Sequence, residues 1–335
     1  APCRQPTADS RQPTADSRQP TADSRQPTAD SRDRPEAGGV PGAMISRTPL
    51  VVPFAKMNGA GNDFVVLDNR FLRFSDDELA GLARQTSPRR TGVGADGLLA
   101  LDDPDAEAAD EGVHFRMRYR NADGSLGTMC GNGARCLARF AARAGLGDDT
   151  ELGVALTFDT DGGRTRADVP DRAASGPVTL HMPPPRDFAK TDLEEAGGPV
   201  YRIWTGTEHA VLFVPEADRA DVATVGGRLR NDPAFQPTGT NVDVVEVAGP
   251  DRLRVRTFEK GVEAETLACG TGALASALVA RLTDRLGEGA RADVAVEMPG
   301  GTLAVGFHLD GPEVRDLTLG GPAETVYEGT LEWTG

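Results

Sequence analysis

The chain has 335 residues, 39% hydrophobic and 26% charged, which is length and apolar content enough for two domains of ordinary size. A formal net charge of −15 argues against nucleic acid as a partner, because neutralising phosphates takes clustered Lys and Arg. No apolar run approaches the roughly eighteen residues of a membrane span, and four cysteines are too few for a disulfide scaffold. No charged-then-apolar leader is visible either, so the expected compartment is a reducing cytoplasm.

The heptad RQPTADS occurs four times from Arg4 to Ser31. Its period suggests a coiled coil, but no position is apolar enough for a seam. Each copy carries a proline and is otherwise polar, so residues 1–43 are expected to be disordered, with Cys3 idle. Met44 follows a Gly/Pro-rich stretch and is the expected start of the folded part.

From Pro49 the texture changes. LVVPFAKM and DFVVLD read as strands joined by the turn NGAGN. DDELAGLARQ reads as a helix with Ser75 as N-cap. GLLAL and VHFRMRYR are strand-like. GNGARCLARFAARAG reads as a helix with Ala, Leu and Phe on one side and Arg on the other. Strands are expected near 154–158, 164–169 and 177–182. YRIWTG and HAVLFV continue as strands, Asp218–Arg230 as a helix, NVDVVEV and RLRVRTFE as strands, and GTGALASALVARL as a small-residue helix suited to a crowded interior. ADVAVEM, TLAVGF, VRDLTL and ETVYEG close the chain as strands. Many short strands with one apolar helix in each half predict α+β rather than alternating βαβ. The expected boundary lies at 174–176. GVGADG, Gly92 to Gly97, matches a dinucleotide fingerprint in letters only; SPRRT precedes it and a strand follows, the reverse of the context such a site requires.

The most informative feature is an internal echo. MCGNGARCLARFAA begins at Met129 and ACGTGALASALVA at Ala268, so Cys130 and Cys269 hold equivalent places, each just before a helix. A cysteine there sits beside unpaired N–H groups and the positive end of the helix dipole, which favour a thiolate and lower its pKa. The same N–H groups bind carboxylates. Two such elbows facing each other place one thiol on each side of a substrate carbon. That is the geometry for taking an α-proton from one face and returning one to the other. Pyridoxal chemistry would need a buried lysine, and Lys56, Lys190 and Lys260 carry no pocket signature; no CxxC or paired-His spacing suggests a metal. No cofactor and no metal are therefore expected. Cys136, inside the first helix, is read as a small buried hydrophobe.

AKMNGAGNDFVVLDN, RNADGSLGTMCGNGARC, GTNVDVV and FEKGVEAETLACGTGA, in this order, resemble diaminopimelate epimerase. The resemblance runs from about Lys56 to the C-terminus. It implies two pseudo-symmetric domains, each a strand-rich layer wrapped around a central helix, with the active site in the cleft between them. Their expected extents are 44–175, with a strand at about 322–335 returning to it, and 176–321. It implies conversion of LL-2,6-diaminopimelate to the meso form in lysine and cell-wall precursor synthesis, with Cys130 and Cys269 as the acid and base. It further implies substrate binding by Asn62, Asn121 and Asn241, by the backbone after each cysteine (Gly131, Asn132, Gly270, Thr271), and by Glu259 and Lys260. Glu259 and His209 would tune the thiols. Four places depart from the family's usual pattern. Gly97 stands where a substrate-contacting Gln is common, Thr207 and Glu208 replace the Asn and Pro of GNPH, and Lys260 replaces an Arg. A racemase or isomerase acting on another amino acid is the alternative. The expected partner is a small amino acid, neither nucleic acid nor membrane, with a homodimer left open.

The charge carries a prediction of its own. Nearly all of the 36 basic residues are Arg, and residues 1–43 are neutral, so the whole excess of −15 lies on 44–335. Abundant Asp and Glu with almost no Lys resembles proteins adapted to high salt. Surface self-repulsion is screened over about 10 Å at 0.1 M salt and about 3 Å at 1 M. Melting temperature and activity should both rise from dilute to molar KCl, equally for the whole chain and for one starting at Met44. A flat or falling melting curve series would remove the high-salt reading.

Overall fold

The turn NGAGN does form a hairpin. β1 (Leu50–Gly59) and β2 (Asn62–Asp68) pair antiparallel, with Ala60 and Gly61 both at positive φ between them, the twist a two-residue hairpin needs. A computed structural model describes residues 49–173, 176–195, 197–287, 289, 291–311 and 313–335. The heptad repeat, Met44 and the expected boundary at 174–175 lie outside the described residues. α1 (Asn69–Leu72) and α2 (Asp76–Thr86) follow; Ser75 and Glu78 close a reciprocal capping box at the start of α2. Next come β3 (Gly97–Asp102), α3 (Ala106–Asp110), β4 (Phe115–Asn121), β5 (Leu126–Gly127), α4 (Gly131–Arg143), β6 (Asp148–Thr150), β7 (Gly153–Thr160), β8 (Gly163–Val169) and β9 (Val178–His181). The remainder is β10 (Arg186–Glu195), β11 (Gly198–Trp204), β12 (Glu208–Phe213), α5 (Val222–Arg230), β13 (Asn241–Gly249), β14 (Arg252–Glu259), β15 (Ala264–Thr266), α6 (Gly270–Leu282), β16 (Arg291–Met298), β17 (Gly301–Asp310), β18 (Glu313–Gly321) and β19 (Glu324–Trp333).

The strands run in two rows. One is β19–β1–β2–β3–β4–β7–β8–β9. The other is β10–β11–β12–β13–β14–β16–β17–β18. Place by place the pairings have the same sense, and antiparallel β9–β18 joins the rows. Four neighbouring pairs are parallel: β2–β3, β4–β7, β12–β13 and β14–β16. Parallel neighbours need a crossover connection, and each crossover carries a helix: α2, α4, α5 and α6 respectively. The architecture is therefore mixed α/β. The α+β expectation is corrected on this point, because apolar texture reveals a strand but not the direction in which it pairs.

α4 packs in one apolar cluster with strands of the first row, through Met57, Phe64, Leu99, Phe115 and Phe158. α6 does the same in the second, through Val211, Val245, Val255, Val296 and Leu303. α2 and α5 cover the outer faces. Three local expectations change. The Arg side of α4 is solvated only at its end, at Arg143: Arg135 and Arg139 are buried, their guanidinium groups turned to Asn132 and to backbone carbonyls. The helix expected over Asp218–Arg230 is broken, because Asp221 accepts the Thr224 N–H and starts α5 afresh after a single 3-10 turn. β10, a polar edge strand, and the short α3 had no clear periodic signal.

The hairpin tip is held to β3 by charge. Asp63 and Asp96 exchange backbone and carboxylate contacts, and Arg89 grips both. Lys56 donates to Asp63 at 2.7 Å and to the Gly94 carbonyl. Burial alone would raise the Asp63 carboxyl, but the bonds from Arg89 and Lys56 outweigh it and hold it at about 2. A carboxyl depressed in the folded state stabilises above its unfolded value of about 3.9 and loses that contribution as pH falls through its folded value. Arg89 is largely solvated, so screening reduces the worth to about 1 kcal/mol. Asp63→Asn should cost that much in urea melts near neutral pH, and progressively less below about pH 4. A penalty that stayed constant with pH would take this ion pair out of the stability of the tip.

Candidate active site

Cys130 and Cys269 are the N-caps of α4 and α6, both with extended backbone. Short strands lead into each: β5 pairs with the end of β4, and β15 with the end of β14. The two first turns meet. Leu319 of β18 packs against both Gly131 and Gly270, and a Cβ on Gly270 would come within 2.8 Å of it. The Asn132 amide donates to the Ala268 carbonyl at 3.4 Å, so the first turn of α4 touches the residue before the second cysteine.

The surroundings of the two sulfurs differ. Cys130 is partly exposed and accepts the Gly133 N–H at 3.5 Å. Behind it lies Arg135, wholly buried, which donates to the Asn132 side chain at 2.7 Å; its Nη1 has no hydrogen-bond partner among the described residues. Cys269 is buried, its Sγ 3.5 Å from Thr271 Oγ1. Burial pushes both thiols up. For Cys130 the N–H groups of Gly133 and Asn132 and the Arg135 charge work in the opposite direction. For Cys269, Glu259 and Asp243 add to the rise, while the Thr271 hydroxyl and Gly272 N–H oppose it. The sequence-based expectation of thiols lowered by the helix ends is thus corrected. The N–H groups are in place, but the cost of burying a thiolate is larger than what they return.

Glu259, at the end of β14, adds to the rise of both thiols through its charge; its own carboxylate accepts from Thr266 at 3.0 Å. Asn62 accepts from Asn132 and donates to Asp96 at 3.1 Å, which ties the charged hairpin tip to α4. Asn241 lies beside His209: its Oδ1 accepts the Lys260 N–H at 2.8 Å and its Nδ2 is 3.4 Å from His209 Nε2. His209 is fully buried, with Nδ1 2.7 Å from Asp243 and Nε2 2.9 Å from Thr271 Oγ1. Lys260 Nζ and the Glu208 carboxylate form an ion pair at 2.6 Å. Asn121 is the one whose amide turns to its own hairpin, donating to Ser125 at 3.0 Å.

Some residues of the site had no signal in the sequence. The ring of Tyr119 packs over Gly97, where a Cβ would come within 2.8 Å of it, and over Gly127, where the gap would be smaller still. Burial, with the charges of Cys130, Asp96 and Glu259, pushes its phenol up, and Tyr119 packs against the same apolar cluster as Cys130. Tyr119 thus fills the space opened by glycine at position 97. Arg135 reads as a solvated helix residue by periodicity alone. Asp243 had one usable mark, a carboxylate inside the apolar run NVDVV. No group of three or more His, Cys, Asp or Glu among the described residues is placed to hold a metal ion.

The diaminopimelate epimerase family model matches residues 54–186 and 201–326. The chain is 42% identical to the diaminopimelate epimerase of Chlorobaculum tepidum, over 82% of this chain and 99% of the relative. It is 40% identical to that of Halorhodospira halophila, over 83% and 94%, and 37% to that of Aquifex aeolicus, over 83% and 97%. Among solved structures it resembles a Bacillus anthracis phenazine biosynthesis protein of the PhzF family, with TM-score 0.61, 15% identity and coverage of 84% and 99%. A hydroxyproline epimerase from Agrobacterium vitis gives 0.58, 16%, and 85% and 94%. The structural likenesses speak for the fold, and the sequence matches over most of the folded residues go further: this chain belongs to the diaminopimelate epimerase family.

Proposed function

We propose that the chain epimerises LL-2,6-diaminopimelate to the meso form by a two-base cysteine mechanism, without a cofactor. The observation that carries this reading is that two cysteines cap two helices whose first turns meet on one side chain, Leu319. A substrate α-carboxylate held by the N–H groups of Gly131, Asn132, Gly270 and Thr271 leaves its α-carbon between the thiols. One sulfur, as thiolate, removes the α-proton, and the other, as thiol, delivers a proton to the opposite face. Charge that builds on the carboxylate during the step meets fixed N–H dipoles. Asn62 and Asn241 border this space, and Asn121 reaches it by leaving Ser125. The Glu259 charge, which disfavours a thiolate at either sulfur, penalises the state in which both are thiolates, which suits a reaction that needs one of each.

The two rows of strands support a reading as two pseudo-symmetric domains, 44–175 and 176–321, with the terminal strand at about 322–335 assigned to the first. The reaction belongs to lysine and cell-wall precursor synthesis, with the cytoplasm as the expected compartment. For the distal, zwitterionic end of the substrate, Lys260 and Glu208 offer one charge of each sign. Lys260 is a point charge where an arginine would grip a carboxylate in two places.

Cys130→Ala and Cys269→Ala should each abolish epimerisation, measured as deuterium exchange at the α-carbon, while Cys136→Ala retains most of it. Near wild-type turnover in either of the first two would end the two-base mechanism. Lys260→Met should raise KM for diaminopimelate by about one to two decades, the worth of a charge-assisted hydrogen bond, and change kcat much less. An unchanged KM would remove Lys260 from the distal subsite.

A further inference from the structure

The second cysteine is connected to a buried acid through an unbroken line of polar atoms: Cys269 Sγ, Thr271 Oγ1 at 3.5 Å, His209 Nε2 a further 2.9 Å on, and Asp243 Oδ2 2.7 Å from His209 Nδ1. Asp243 Oδ1 in turn accepts the Thr257 hydroxyl at 2.7 Å. The proton positions follow from the partners. A carboxylate only accepts, so His209 carries its proton on Nδ1. Asn241 Oδ1 is taken by the Lys260 N–H, so the Asn241 amide nitrogen is what faces His209 Nε2. Nε2 is therefore an acceptor, and the Thr271 hydroxyl donates to it. That leaves the Thr271 oxygen free to accept from the Cys269 thiol.

The backbone is built for this line. β12 and β13 are parallel, with His209 level with Asn241, and Asp243 stands opposite Thr257 on β14. All three strands contact α6. A Cβ on Gly272 would lie 2.4 Å from Asp243 Oδ1 and 3.0 Å from Thr257 Oγ1. Only glycine at the third residue of α6 lets the carboxylate come so close to the helix start. Among the described residues Cys130 has no such line; the N–H groups of Gly133 and Asn132 and the Arg135 charge act on it instead.

We propose that Thr271, His209 and Asp243 form a proton relay dedicated to Cys269, with Thr271 as the conduit and Asp243 as the positioning residue that holds His209 ready to accept. This deepens the epimerase reading and rests on it for the catalytic consequence. In the relay the Cys269 S–H bond breaks as its proton moves to Thr271 Oγ1, and the hydroxyl's own proton moves to His209 Nε2. The products are a thiolate, an unchanged hydroxyl and an imidazolium whose Nδ1–H stays on Asp243. A thiol that burial disfavours as a free thiolate thus ionises as half of a compensated pair. When Cys269 takes the α-proton it becomes a thiol while His209 keeps the relayed proton, and a turnover in the reverse direction returns Cys269 to the thiolate of the same pair.

The test follows Cys269 alkylation by iodoacetamide against pH, read by peptide mass without substrate, with Cys130 in the same molecule as reference. Epimerisation of LL-diaminopimelate is measured in parallel. The variants are Asp243→Asn, Thr271→Val and Thr271→Ser. The charged groups facing the pair are Asp243 from β13, Glu259 from β14, Glu208 beside His209 on β12, and Lys260. Losing the Asp243 charge acts directly on the thiol by favouring the thiolate, which would move the Cys269 profile to lower pH. The relay demands the opposite sign. Asp243→Asn and Thr271→Val should move the profile up by about one unit, a tenfold smaller thiolate fraction at a given pH. Thr271→Ser should stay with the wild type, and Cys130 should not move. On the acid side kcat/KM should fall by about 10- to 100-fold in the first two variants and recover as pH rises. A downward or absent shift in Asp243→Asn, or equal behaviour of Thr271→Val and Thr271→Ser, overturns the relay. Failure of the wild type to act on diaminopimelate overturns the proposed substrate, and the alkylation series still decides the relay.

Discussion

The constraint on which the rest of this structure depends is that two helix N-termini, each with free N–H groups and a cysteine, are buried nose to nose. Unpaired donors inside a protein are costly, and so is a buried thiolate. The molecule gathers such donors and both sulfurs at one place, and the surrounding architecture follows. Each helix runs inside a shell of strands, so that only its first turn reaches the shared space. Small residues let the backbones close in. A Cβ on Gly59 would be 2.8 Å from the Asn132 carbonyl and 3.1 Å from Cys136, so Cys136 sits in close packing under the β1 backbone.

The electrostatics of the two sulfurs are not mirror images although the sequence around them is. Cys130 has a buried guanidinium behind it, and Cys269 has the His209 imidazole at the end of a hydroxyl. The Glu259 charge raises both thiols. The asymmetry matters for the proposed two-base reaction, which needs its two bases in opposite protonation states; identical surroundings would give no reason to choose. On the substrate side, the departures at Gly97, Glu208 and Lys260 are matched locally. Tyr119 fills the space over Gly97, and Glu208 and Lys260 neutralise each other.

The sequence by itself determined a good deal. Strand and helix identity was legible from apolar runs and caps, down to Ser75 and the NGAGN turn, because these are local in origin. The two cysteine elbows were legible because N-terminal helix chemistry is written in consecutive residues, and the repeated CGxG context separated Cys130 and Cys269 from Cys136. The acidic surplus on residues 44–335 was likewise plain to count.

What only the tertiary structure decided were properties of residues far apart in the chain. Whether β2 and β3, or β14 and β16, pair parallel depends on where the crossover helix packs, so α+β became mixed α/β. Arg135 is polar by composition yet wholly buried, because α4 is enclosed on every side and no solvated face is left for it. The partner of His209 lies 34 residues away on a neighbouring strand, brought level by the parallel register of β12 and β13. Above all, the ionisation of the thiols reversed the expectation. The helix dipole is a short-range property of the first turn and can be read from sequence. Desolvation is a sum over everything that closes around the sulfur, and it exists only once the chain has folded.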